Sequence, residues 1–300
     1  MQPINNIACT NILGGFAEGI TRRDPSPVIL VGNLYYVWYS RSTVTGHGYT
    51  ATIWYATSPD GCQWSEQGQA LGRGLVGAFD EHAVFTPSIL VHDGRYYLIY
   101  TAVPEPFYNG AAGQPGITPT AIGLAVANAP NGPWQRVGTE PILRPSTDPE
   151  QFDSLRIDDT CFVTREGRIW MFYKGRGIGR TPAQTKMGLA IADQPEGPYQ
   201  RVPENPVVDS GHEVCVWPTD GGVASLHSKI GPQGNTLQFA ADGRHFTKVA
   251  DITPPMAPGP FRADHYKDNA DMQLTWGVCM REENGWPWLQ RFDTLRKAEG

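Results

Sequence analysis

Four residues stand out for their type and their spacing. Asp24, Thr86, Asp159 and Glu213 each lie eight residues ahead of a glycine, at Gly32, Gly94, Gly167 and Gly221. Three of the four are carboxylic acids. Acids gathered in one pocket raise one another's proton affinity and resist burial, so a fold that gathers them does so for a use. Carboxyl groups of split proton affinity are the equipment of glycoside hydrolysis, in which one protonates the leaving oxygen and the other activates a water or attacks. His212 directly precedes Glu213 within Ser210-Gly211-His212-Glu213-Val214-Cys215-Val216-Trp217-Pro218. An imidazole of ordinary pKa near 6.5 suits a proton donor at neutral pH. An aspartate before a proline, as in Asp24-Pro25, can also simply cap a turn; the register shared by Asp24, Asp159 and Glu213 is what favours chemistry.

The elements that must position these residues are repeats. Asp24-Pro25-Ser26 leads through Gly32 to the aromatic run 34–39, Thr86-Pro87-Ser88 through Gly94 to 96–100, and Asp159-Thr160-Cys161 through Gly167 to 169–173. Each unit reads as a strand, a tight glycine turn and an aromatic strand, which is a β-hairpin. A second repeat lies between them. Gly123-Leu124-Ala125-Val126-Ala127 with Arg136-Val137 recurs 65 residues later as Gly188-Leu189-Ala190-Ile191-Ala192 with Arg201-Val202. Two hairpins make a four-stranded unit. A fifth inner strand is expected at Arg262-Ala263-Asp264, followed by strands at 272–276 and 288–292. Five such units closing on themselves make an all-β chain, a five-bladed β-propeller, with residues 1–20 as an N-terminal extension and 21–300 as one domain. Inner strands line the channel of a propeller, so residues in one register form a ring around it. That ring reads Asp24, Thr86, Asp159, Glu213 and Asp264, with His265 alongside.

Composition agrees with this reading and excludes others. Gly 34 and Pro 26 make up a fifth of the 300 residues and charged residues only 18%, which argues against helical bundles. The net charge is −6, with no basic cluster, so no nucleic-acid partner is expected. No apolar run approaches the ~20 residues of a membrane span. Residues 1–6 lack the pattern of a signal peptide, so a cytoplasmic location is expected. Five cysteines without a CxxC pair read as reduced, mostly buried thiols.

At the residue level the chain resembles glycoside hydrolase family 117, a relative of the propeller families 43 and 32. The resemblance rests on Arg22-Arg23-Asp24-Pro25-Ser26, Val84-Phe85-Thr86-Pro87, Gln184-Thr185-Lys186, the 210–218 string, Asn235-Thr236-Leu237-Gln238-Phe239 and Gly259-Pro260-Phe261-Arg262, and spans residues 20–293. It implies an exo-acting, inverting hydrolase that removes a non-reducing 3,6-anhydro-L-galactose linked α-1,3 to galactose. By matched motif Asp24 would be the general base, Asp159 the orienting carboxylate and His212 the general acid. Glu213 would bind substrate or be the acid in the manner of family 43. Arg23, Thr86, Thr101, Asp158, Gln184 and His265 form the expected substrate-binding set. The family pattern has His-Asp-Pro-Cys where this chain has Asp158-Asp159-Thr160-Cys161, and Gln where it has Thr101. These departures keep open a family 43-like arabinofuranosidase, xylosidase or galactofuranosidase. A non-catalytic carbohydrate-binding propeller is the contrasting class. Asp158 or Asp159 should favour a protonated His212, which is slightly preferred over Glu213 as donor. Inversion calls for catalytic groups about 6.5–9.5 Å apart. No cofactor is expected for the chemistry, although a divalent cation could sit in the channel. The expected partners are an oligosaccharide and a second copy of the chain.

Overall fold

The computed structural model describes residue 4 and residues 6–44, 49–110, 114–228 and 230–295. His47 and residues 1–3 and 5, on which the reading of the leader partly rests, lie outside these. The chain forms five small antiparallel sheets arranged as a five-bladed propeller. Blade 1 has an inner edge in two pieces, Thr21–Arg23 and Ile29–Val31, followed by Leu34–Ser42, Thr52–Ser58 and Ser65–Leu71. Blade 2 comprises Ala83–His92, Arg95–Val103, Ala121–Ala127 and Gln135–Arg136. Blade 3 comprises Arg156–Arg165, Arg168–Arg176, Lys186–Ala192 and Gln200–Arg201, and blade 4 Cys215–Thr219, Gly222–His227, Thr236–Ala240 and Thr247–Asp251. Blade 5 runs outward from Met256–Pro260 through Trp276–Glu283 and Trp286–Leu295. Its outermost strand is Asn6–Asn11, paired with Trp286–Leu295. The expected extension 1–20 is therefore corrected: its strand closes the ring by joining the two ends of the chain in one sheet.

The repeats have a packing cause. Tyr100 donates its hydroxyl to Asp80 at 2.9 Å and Arg136 binds the same carboxyl oxygen at 2.7 Å. Blade 3 repeats this with Tyr173, Asp153 and Arg201 at 2.8 and 2.7 Å. The tyrosine rings pack against Gly123 and Gly188, where a Cβ would fall 2.3 and 2.5 Å from the ring carbon Cζ. Apolar side chains fill the space between blades, including Trp38, Leu98 and Phe162 of one continuous cluster. All five cysteines are free; Cys161, Cys215 and Cys279 are buried, while Cys9 and Cys62 are exposed. No described helix is long and apolar enough to cross a membrane.

The fifth inner strand differs from expectation. It is Met256–Pro260 rather than 262–264. The segment after it crosses the far mouth of the channel. Arg262 donates from its backbone N–H to Val28 of blade 1 and from its side chain to the Phe162 carbonyl of blade 3. Thr164 of blade 3 donates to the Tyr266 carbonyl, and Met272 N–H to Pro218 of blade 4. Asp264 is buried there in a bidentate pair with Arg262 at 2.6 and 2.8 Å.

Candidate active site

The residues of the ring share one unusual backbone state. Asp24, Thr86, Asp159, Glu213 and Ala257 have φ of 48°, 43°, 49°, 57° and 45°. Positive φ is uncommon outside glycine and is held only where the surroundings enforce it. In blades 2, 3 and 5 the residue sits on a β-bulge, marked by register shifts between Phe85 and Ser88, Asp158 and Cys161, and Met256 and Gly259. A bulge re-aims one side chain off the pleat. Here it turns the same position of successive blades toward the axis. In blade 1 the strand breaks altogether after Arg23, and in blade 4 Glu213 falls just ahead of Cys215–Thr219. The five residues line one axial cavity of about 40 Å³ together with the prolines that follow three of them, Pro25, Pro87 and Pro258.

Each acid of the ring has its own support. Asp24 is paired with Arg23 at 2.5 Å, and the guanidinium also lies over the Tyr49 ring. Lys174 reaches Asp159 at 2.5 Å and Asp158 at 3.2 Å. Glu213 accepts the Ala257 N–H at 2.7 Å, and its own N–H donates to Asp159 at 3.3 Å. His212 Nε2 lies 3.5 Å from Glu213 Oε1. Thr86 hydrogen-bonds Thr101 through the two hydroxyls, and its N–H donates to Ser40 at 2.8 Å.

The other predicted residues divide. Arg23, Thr86 and Asp158 stand at or against the ring, and Thr101 is buried behind Thr86. Gln184 does not reach it: its side-chain oxygen accepts the Thr181 N–H, and it lines a separate cleft with Arg180, Lys186 and Asp209. His265 is exposed at the far mouth of the channel, in the crossing segment, because the fifth inner strand ends before it. The channel position expected for a cation does not fit one. Asp264 is held by Arg262, and the ring acids are engaged by Arg23, Lys174 and the Ala257 N–H. Among the described residues no three His, Cys, Asp or Glu side chains converge as a metal site.

Comparison with known proteins adds the family. The model of the family described as "Glycosyl hydrolases family 43" matches residues 20–179. A family 117 glycoside hydrolase of the marine bacterium Zobellia galactanivorans is 31% identical, with a TM-score of 0.84 over 96% of this chain and 89% of that one. This chain belongs to glycoside hydrolase family 117. It is an enzyme, and its fold is shared more widely. An endo-arabinase of Bacteroides thetaiotaomicron is 14% identical, with a TM-score of 0.57 over 93% of this chain and 95% of that one. Fructan 1-exohydrolase IIa of Cichorium intybus is 13% identical, with a TM-score of 0.62 over 92% of this chain and 56% of that one. No curated protein matches the sequence.

The electrostatics of this hydrolase separate its acids. Burial pushes the Glu213 carboxyl up to about 7, with Asp24 and Asp159 adding to the rise and the Ala257 N–H opposing it. Burial also raises Asp24, against the pull of Arg23. Asp159 goes the other way: burial would raise it, but Lys174 and His212 hold it below the ordinary carboxylate range. His212 reverses the expectation from sequence. Burial, then the nearby Lys174 charge, lowers it to about 3, outweighing Asp159. At neutral pH the imidazole is uncharged, while Glu213, at about 7, is poised to hold and to release a proton there.

Sequence reasoning missed Lys174. It occupies the register of Thr101 in blade 2 and Ser40 in blade 1, each directly after the last tyrosine of an aromatic strand and opposite the residue before the ring position. The signal in the sequence is its place directly after Tyr173, as Thr101 follows Tyr100 and Ser40 follows Tyr39. Arg156 and Arg176, both buried and both bound to the Asn109 side chain at 2.7 and 2.9 Å, were also missed. Removing one partner of a buried pair leaves an uncompensated charge. Lys174→Met is therefore expected to lower unfolding stability by about 3–5 kcal/mol, read from urea titrations at pH 7. Lys174→Arg should recover most of it. A loss below about 0.5 kcal/mol would show that the bridge to Asp158 and Asp159 is idle.

Proposed function

We propose that this glycoside hydrolase is exo-acting and inverting, and that it removes a non-reducing terminal 3,6-anhydro-L-galactose linked α-1,3 in agar-derived oligosaccharides. Asp24 acts as general base on a water, Glu213 as general acid on the leaving oxygen, and Asp159 orients the site through the Glu213 N–H. The observation that carries this reading is the divided proton affinity within one ring, with Glu213 raised to about 7 while Asp159 is lowered. An acid whose pKa lies near the working pH transfers protons best. The segment across the far mouth of the channel supports attack on chain ends. The membership in family 117 supports the sugar. In this reading the enzyme works in the cytoplasm as a homodimer and needs no cofactor.

Two measurements test it. Proton NMR should show the inverted anomer of the released sugar first; first-formed retained anomer would exclude a water-mediated single displacement. In a substrate panel, the agar-derived disaccharide should be cleaved at least 100-fold faster, in kcat/KM, than aryl α-L-arabinofuranosides, β-D-xylosides or galactofuranosides. The opposite ranking would favour the family 43-like activities, a reading that Thr101 and Asp158 motivate. Sugar binding without any turnover would favour the non-catalytic propeller.

A further inference from the structure

Two buried arginines face each other in blade 3 without a part in the proton transfers assigned to Asp24 and Glu213. Arg156 and Arg176 are direct cross-strand partners. Like charges in that position repel; burial, then the Arg176 charge, brings Arg156 down to about 10. One amide joins them. Asn109 Oδ1 accepts Arg156 Nη1 at 2.7 Å and Arg176 Nη1 at 2.9 Å, and the Asn109 carbonyl accepts Arg176 again at 3.2 Å. Arg156 also donates to the Thr118 carbonyl at 2.7 Å. With two cations on its oxygen, the Asn109 amide has one orientation, and its Nδ2 donates to the Tyr49 hydroxyl at 3.0 Å. The Tyr49 ring is held as well, with centroids 4.2 Å from Phe107 and 5.7 Å from Phe85, the residue before Thr86. The Arg23 guanidinium engages Tyr49 through both ring and hydroxyl, and it pairs with Asp24 at 2.5 Å. A continuous polar chain thus runs from blade 3 through Asn109, between Arg95–Val103 and Ala121–Ala127, and Tyr49, between Leu34–Ser42 and Thr52–Ser58, to Asp24 in blade 1.

We infer that Tyr49 and Asn109 are positioning residues of this hydrolase: they carry the constraint of the arginine pair to Arg23 and hold its guanidinium on the Asp24 carboxylate. The inference rests on the proposed role of Asp24 as base. A base must be ionised to accept a proton. Burial raises Asp24, and Arg23 is the foremost group that opposes the rise. A long arginine side chain loses much rotamer freedom when fixed, so a contact on its far side keeps it in place. The charges that face Asp24 are Arg23 of blade 1, Asp159 and Lys174 of blade 3 and Glu213 of blade 4, while blades 2 and 5 bring Thr86 and Ala257 to the ring. Substitutions at 49 and 109 alter none of these, so a shift in the base reads the placement of Arg23.

The test compares Tyr49→Phe, which keeps the ring contacts and removes the hydroxyl, with Asn109→Ala and the double variant, on the fastest-cleaved member of the substrate panel. The acidic limb of kcat/KM, along which the base ionises, should move to higher pH by about one unit, because a looser Arg23 no longer offsets burial. The basic limb near 7, set by Glu213, should stay. At pH 7 kcat should fall about tenfold, with KM changed less than about twofold. The double variant should be no slower than the slower single one, since both substitutions cut the same chain. Tyr49→Phe with both limbs in place overturns the inference, whether or not its melting temperature falls. A raised KM at unchanged kcat also overturns it, by marking Tyr49 as a substrate contact, and fully additive losses do so by marking two separate roles. The base role is read separately, from Asp24→Asn: full activity there overturns that role and this inference with it, whereas a dead Asp24→Asn enzyme with an indifferent Tyr49→Phe overturns the positioning chain alone.

Discussion

Asp24→Asn is expected to lower kcat/KM by about three to four orders of magnitude and to leave the fold in place. The substitution exchanges one carboxylate oxygen for an amide of equal size. The Arg23 pair at 2.5 Å weakens but keeps an acceptor oxygen. What disappears is the acceptor for the proton of the attacking water, and removal of a general base typically costs up to about 10⁴ in rate. The positive φ of 48° at Asp24 is tolerated by asparagine as well as by aspartate, so the backbone has no reason to move. Thermal unfolding and kinetics on one protein preparation check both halves. Undiminished turnover would remove Asp24 from the base role, and loss of the folded transition would show a structural one.

The second large effect concerns the acid. Glu213→Gln should cost about 10²–10⁴ in kcat/KM on a substrate with a poor leaving group and little on an activated aryl glycoside, whose leaving oxygen needs no proton. His212→Ala should reduce both substrates by similar factors, as loss of a contact does. The same buried carboxyl ties activity to stability. Its folded pKa of about 7 exceeds the ordinary 4.5, so between those values the folded state binds more protons than the unfolded one. Stability must then fall as pH rises from about 4.5 to 7, by an amount on the order of 3 kcal/mol at 1.36 kcal/mol per unit. Glu213→Gln should relieve this and unfold at a higher temperature than the natural enzyme above pH 7. The converse result, a less stable variant at high pH, would mean that Glu213 is ionised and paired in the folded state.

The parts of this molecule legible in its sequence are those that the repeats encode. The eight-residue interval to a glycine placed Asp24, Thr86, Asp159 and Glu213 in one register because each inner strand must reach its hairpin over the same length from the ring. The fifth ring position was not legible. Ala257 carries no chemistry, no glycine follows it at that interval, and its strand is followed by the long crossing segment, whose Asp264 and His265 look like ring residues by type alone. Asp264 proved to be buried for a structural reason, its pair with Arg262. His212 was legible in position and not in charge. Its neighbour Asp159 is visible from sequence, but the competing cation Lys174 lies 38 residues away and only the pairing of Asp158 with Lys174 brings it there.

The assignment of Glu213 as the proton donor is tested most directly by the pH dependence of kcat/KM. The donor must be protonated, so activity should fall as pH rises through about 7, the value at which Glu213 loses its proton. That basic limb should persist in His212→Ala and vanish from the residual activity of Glu213→Gln. A limb that survives in Glu213→Gln and disappears in His212→Ala would contradict the account and return the donor role to the imidazole.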